Sequence, residues 1–141
     1  MTDHSLPTSQ TSPSAWRSIG LWMAALMAVS QAANAIRVLA DPNGFSDYMG
    51  LPIPDGESVG FVYVYALRAA FIAIAVGIFV VLRNISALMW LGAAALIMPA
   101  GDTLLTWQAG APDAIIIRHA ATTLYVAVVV ALLLSWQRKY S

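Results

Sequence analysis

Three ionisable side chains fall inside long apolar stretches, where a charge is costly: Arg68, Asp102 and His119. On membrane-insertion scales such a group costs about 2.5 to 3.5 kcal/mol near the centre of a span, so each needs a partner. A carboxylate beside an imidazole can relay a proton, and a guanidinium can stabilise developing negative charge. His119 and Asp102 therefore make a candidate acid–base pair, with Arg68 as the electrostatic stabiliser. The same groups suit the binding of a polar head group. Arg37, preceded at three-residue spacing by Asn34 and Gln31, extends this set. The candidate ligand-binding residues are Asn34, Arg37, Arg68, Asp102 and His119. The plainer alternative is a buried structural network. In it Asp102 neutralises Arg68 or Arg37 and His119 satisfies a leftover hydrogen bond, since buried charges must pair whatever the function.

Local features bear on both readings. Pro99 lies three residues before Asp102, with Gly101 between them. A proline inside a helix frees the carbonyl four residues earlier, here that of Ala95, and a kink there would open space beside Asp102. Thr122 and Thr123 follow His119 at the i+3 and i+4 positions. They either reach the imidazole or return to their own backbone, the commoner outcome.

Other chemistry is absent. There is no cysteine, and a single internal histidine cannot hold a catalytic zinc, so no metal and no cofactor is expected. His4 stands apart in the N-terminal tail. The sequence has no nucleophile elbow, no phosphate-cradling glycine loop and no basic patch for nucleic acid.

The elements that position these residues follow from composition. Of 141 residues, 60% are hydrophobic and 10% charged; a soluble domain carries roughly 25% charged residues. Four apolar segments stand out at about 16–39, 60–82, 85–107 and 114–136. Each has roughly 20 residues, enough to cross a hydrocarbon core of about 30 Å. The expected fold is all-α, an integral membrane four-helix antiparallel bundle over 16–137 in contact with the lipid bilayer of the cell membrane. Residues 1–15, rich in Ser, Thr, Pro and Gln, read as a disordered tail without the basic region of a signal peptide. Residues 40–59, rich in Pro, Gly and acids, read as a folded extracytoplasmic loop on the membrane surface.

Orientation follows from the basic flanks. Arg17, Arg83, Arg138 and Lys139 mark one side, against Arg37 and Arg118 on the other, a bias of four to two. Both termini should therefore be cytoplasmic. In that topology Arg68, Asp102 and His119 come to lie roughly 8 to 12 Å below the outer interface, counted at helical rise. Asn34 and Arg37 sit at or just above that level. Four helices thus deliver polar groups to one layer. Small residues four apart, Ala24, Ala28 and Ala32 in helix one and Ala69, Ala73 and Gly77 in helix two, suit close packing inside the monomer. Homo-oligomerisation through these small-residue faces is the lesser alternative.

In order and spacing, several stretches resemble a known family. These are Arg37-Val-Leu-Ala-Asp-Pro42, then Tyr48-Met-Gly50, Arg68, Pro99-Ala-Gly-Asp102 and His119. The family comprises small four-helix membrane proteins of bacteria and fungi and is called domain of unknown function 4267. The resemblance covers about 19–134, and its most specific element is the Gly-Asp ahead of the His. It implies a four-helix membrane fold and shared positions at Arg37, Pro42, Gly50, Arg68, Asp102 and His119, with no established reaction. Such families tend to have a Gly beside the helix-two Arg and an Asp just after it. The missing acid should leave Arg68 more dependent on Asp102.

Three functions compete. The first is binding or moving a small amphipathic or lipophilic ligand. The second is a cofactor-free enzyme, an isomerase or hydrolase, acting on a lipophilic substrate through His119, Asp102 and Arg68. The third is an accessory subunit of a membrane complex.

Overall fold

In the computed structural model, residues 14–54 and 59–140 are described. Most of the expected N-terminal tail and the acids Asp55 and Glu57 of the long loop lie outside the described residues. Among the described residues every regular element is helical: α1 (Ile19–Ala40), α2 (Pro42–Met49), α3 (Gly60–Val81), α4 (Ile85–Ala95), α5 (Ile97–Gln108) and α6 (Asp113–Tyr140). With α4 and α5 taken together, four helices are long and apolar enough to cross a membrane.

The boundaries have local causes. A single 3-10 turn over Ala15–Arg17 precedes α1, and the extended Ser18 (φ −78°, ψ 118°) separates the two, so the helix starts at Ile19 rather than at 16. The long connection is not irregular throughout, because α2 forms inside it. The Asp41 carboxylate accepts a hydrogen bond from the Gly44 amide at 2.9 Å, and Pro42 enters the first turn with its φ already set. Gly50 ends α2 in the left-handed region at φ 80°. Phe45 of α2 is buried against Val38 of α1 and Ala66 of α3, so this segment docks on the bundle. At the tight α3–α4 turn the Asn84 side chain accepts from the Ala87 amide and caps α4.

The third long helix is broken at Leu96. Pro99 explains the position: it has no amide hydrogen to offer the carbonyl of Ala95, where α4 ends. In the first turns of α5 the Thr103 hydroxyl returns to the Pro99 carbonyl at 2.7 Å.

Neighbouring long helices run antiparallel. Ser86 meets Gln137 at one end of the α4/α5–α6 pair, and Thr103 approaches Thr123 towards the other. The Tyr125 hydroxyl donates to the Met23 carbonyl at 2.8 Å and ties α6 to α1. At Gly92 a Cβ would come within 2.9 Å of Val130, so the α4–α6 crossing leaves no room for one. Ala24, Ala28 and Ala69 are buried within the chain, the first two in the main core. That core joins Leu21, Ile72, Val76, Val80, Leu88, Val129 and Leu133, and it fills the half of the bundle near the start of α1 and the end of α6. Within the third long helix, α4 packs on both α3 and α6, whereas α5 stays on α6 and stands off α3. The gap between α3 and α5 thus lies on the α5 side of the break at Leu96.

Candidate functional site

That opening is a cavity of about 550 Å³. Asn34 and Arg37 reach it from α1, Arg68 from α3, Asp102 from α5 and His119 from α6. The residues singled out for their chemistry thus share one lining, though they come from four different helices. Its floor is apolar, with Met27, Ile72 and Val126 above the main core. Pro99 and Gly101 also line it, which places the break in the third helix beside Asp102.

The pairing inside the cavity differs from the expected network. Among the described residues no carboxylate oxygen lies within 4.0 Å of a nitrogen of Arg68, Arg37 or Arg118, so Asp102 does not form an ion pair with Arg68 or Arg37. A ring takes the place of the acid. The Arg37 guanidinium lies 4.4 Å from the centre of the Tyr48 ring, and that of Arg118 lies 3.6 Å from it. Both distances suit cation–π attraction, which strengthens away from water. Arg118 also donates to the Tyr48 carbonyl. Asp102 lies instead within electrostatic reach of His119 and Tyr65.

His119 is buried, at 6% exposure, and its Nε2 lies 3.2 Å from the Met49 carbonyl. The carbonyl can only accept, so Nε2 is the donor and, in the neutral ring, Nδ1 keeps the lone pair. Thr122 and Thr123 do not serve the imidazole. Each returns a hydroxyl hydrogen bond to its own helix, to the carbonyls of Arg118 and His119. Arg68 makes no hydrogen bond, ion pair or ring contact among the described residues, and its side chain is exposed at the cavity wall. Among the described residues no three His, Asp or Glu side chains converge as a metal site would require.

The family model described as Domain of unknown function (DUF4267) matches residues 28–133, three quarters of the chain. The chain belongs to this family. The matched region takes in all of α2 to α5, most of α1 and α6, and Asn34, Arg37, Arg68, Asp102 and His119 of the cavity. No curated protein and no solved structure matches the chain.

Three cavity residues of this DUF4267 chain carried weaker signals in the sequence. Tyr65 precedes Arg68 by three positions and so shares its helix face. Arg118 sits beside His119, where it reads as a basic flank. Tyr48 reads as part of a surface loop because α2 is short and rich in turn residues, although Phe45, Tyr48 and Met49 do share one helical face.

Proposed function

We propose that this DUF4267 protein is a multi-pass membrane protein that binds a small amphipathic molecule in the cavity between α3 and α5. The observation that carries the reading is the lining: polar groups from four helices around one cavity, beside apolar residues. A volume of about 550 Å³ falls within the roughly 300 to 1,000 Å³ of small-molecule pockets. The polar end of a ligand would lie among Asn34, Arg37, Arg68, Asp102 and His119, and its apolar part against Met27, Ile72 and Val126.

Support for the bilayer comes from the outer surface. Phe61, Leu67, Phe71, Ile74 and Ile97 are each more than 60% exposed. Only 17% to 28% of each span window is buried inside the chain. Such a surface needs an apolar solvent. With Arg17, Arg83, Arg138 and Lys139 on the cytoplasmic side, both termini are cytoplasmic and α2 lies on the outer face. Because the chain has no cysteine, single-cysteine labelling of intact cells with an impermeant maleimide tests this directly. Asn43→Cys should label and Lys139→Cys should not; the reverse pattern would refute the orientation.

Binding is tested on the purified full-length protein by titrating a dansyl-labelled medium-chain amphiphile. Saturable fluorescence enhancement is expected, and Met98→Trp, at the cavity wall, should reduce it. Absence of saturable binding by the wild-type protein would sink the proposal.

A second reading, a cofactor-free isomerase or hydrolase, rests on the histidine. The Met49 carbonyl leaves Nδ1 as the basic nitrogen, and Asp102 is close enough to stabilise an imidazolium. In that case His119→Gln would abolish turnover of a bound lipophilic ester or enol while the amphiphile still binds. Retained turnover would dismiss the second reading.

A further inference from the structure

We infer that the head group this cavity selects is an oxyanion, a carboxylate or a phosphate carried on an apolar chain. The inference rests on the binding reading above and specifies its ligand.

Charge count is the first argument. Among the described residues, Arg37, Arg68 and Arg118 line the cavity with one acid, Asp102. Even with Asp102 ionised and His119 neutral, two positive charges are left over. Among the described residues none of the three guanidiniums has a carboxylate within 4.0 Å. In a region of low dielectric an unbalanced cation is costly, and an anion that enters gains what the missing ion pairs would have supplied.

The second argument is that the three cations are not equivalent. Arg37 and Arg118 both stack on the Tyr48 ring, and Arg118 is also bonded to the Tyr48 carbonyl. They are fixed in place before any ligand arrives. Arg68 has no such tie, so its five N–H donors are available to a bidentate oxyanion. Asp102 forms no ion pair with it, and its charge acts on His119 and Tyr65. The head group therefore docks on Arg68, within the field of Arg37 and Arg118.

The third argument concerns the rest of the ligand. Below the cations the lining turns apolar at Met27, Ile72 and Val126, while Met98 and Leu105 edge the gap between α3 and α5. A single apolar chain can lie on that floor or leave through the gap. An inorganic anion would leave this surface uncovered.

The test compares amphiphiles of equal chain length on the full-length wild-type protein in nonionic detergent, by displacement of the dansyl probe. The heads are carboxylate, phosphate monoester, phosphocholine, alcohol and trimethylammonium. The two oxyanions should bind about tenfold or more tightly than the alcohol, as expected of charge-assisted hydrogen bonds. Trimethylammonium should bind weakest. Arg68→Gln should remove most of the oxyanion preference by weakening oxyanion binding far more than alcohol binding, and Arg68→Lys should restore part of that preference. Equal binding of all five heads would overturn the oxyanion inference while leaving the amphiphile site standing. Failure of every head to bind would overturn the site itself. Inorganic phosphate is the control for source: if it displaces the probe as well as the phosphate monoester does, the requirement for an apolar chain is wrong. Because the comparison of heads needs no variant, a poorly folding Arg68→Gln protein would not rescue the inference.

Discussion

The main-chain carbonyl of Met49 lies 3.2 Å from Nε2 of His119. This contact joins residues 70 positions apart. It fastens the end of α2 to α6, and it decides which imidazole nitrogen faces the remaining polar groups. A residue chosen for its chemistry thus also serves the fold, and its variants must be read on both counts.

His119→Ala should loosen α2. The amides of Phe45, Gly50 and Leu51, which bond to Asp41, Asp47 and Ser46 carbonyls, should exchange hydrogen faster. The cost in stability should be about 1 to 2 kcal/mol, the loss of one buried hydrogen bond with some desolvation. Unchanged exchange across α2 would mean that the Arg118 contacts hold it unaided.

Gly50 and Gly77 should respond oppositely to alanine. Gly50 has φ 80°, and a Cβ there would meet Ile115 at 2.7 Å. Left-handed backbone alone costs roughly 1 to 2 kcal/mol for a residue with a Cβ, and the clash adds to it. A Cβ at Gly77 meets nothing within 4 Å, so Gly77→Ala should be neutral or stabilise α3 by about 0.5 to 1 kcal/mol. Melting curves of the two variants decide this; equal melting temperatures would contradict the geometry.

Asp102→Asn separates a counter-ion from a functional acid. With no ion pair to Arg68 or Arg37 among the described residues, the amide should keep stability within about 0.5 kcal/mol of the wild type. Removing the one carboxylate of the lining should also strengthen oxyanion binding, since like charge no longer repels the head group. A large drop in melting temperature would instead make Asp102 a structural charge partner.

Pro99→Ala should restore the backbone bond to Ala95 and straighten the third long helix. The helix should gain on the order of 1 to 3 kcal/mol, while the cavity shrinks and amphiphile affinity falls. Higher stability with undiminished binding would show that the proline does not create the opening.

Much of this was legible in the chain itself. Hydropathy located the long helices to within a few residues, because length and apolarity are direct requirements of a span. Counting along each helix put Arg68, Asp102 and His119 at similar depth, with Asn34 and Arg37 at or just above it, and all five line one cavity. Partner choice was not legible. Opposite charges suggest Asp102 with an arginine, yet the positions of Arg37 and Arg118 around Tyr48 depend on where α2 docks. That docking rests on the burial of Phe45 and on the Tyr48 and Met49 contacts to α6, in a segment whose composition reads as loop. The signals for α2 were present but local: Asp41 and Pro42 at its start, Gly50 at its end.

The apolar core beneath the cavity gives the bundle a closed end. In the proposed bilayer setting the chamber would be a side pocket of the lipid phase, closed towards the far face by that core. A ligand entering between α3 and α5 arrives from a two-dimensional reservoir in which amphiphiles are already enriched over water. Occupancy would then follow the mole fraction of that amphiphile in the leaflet. Modest intrinsic affinity would suffice, and the protein would respond to membrane composition more than to any dissolved concentration.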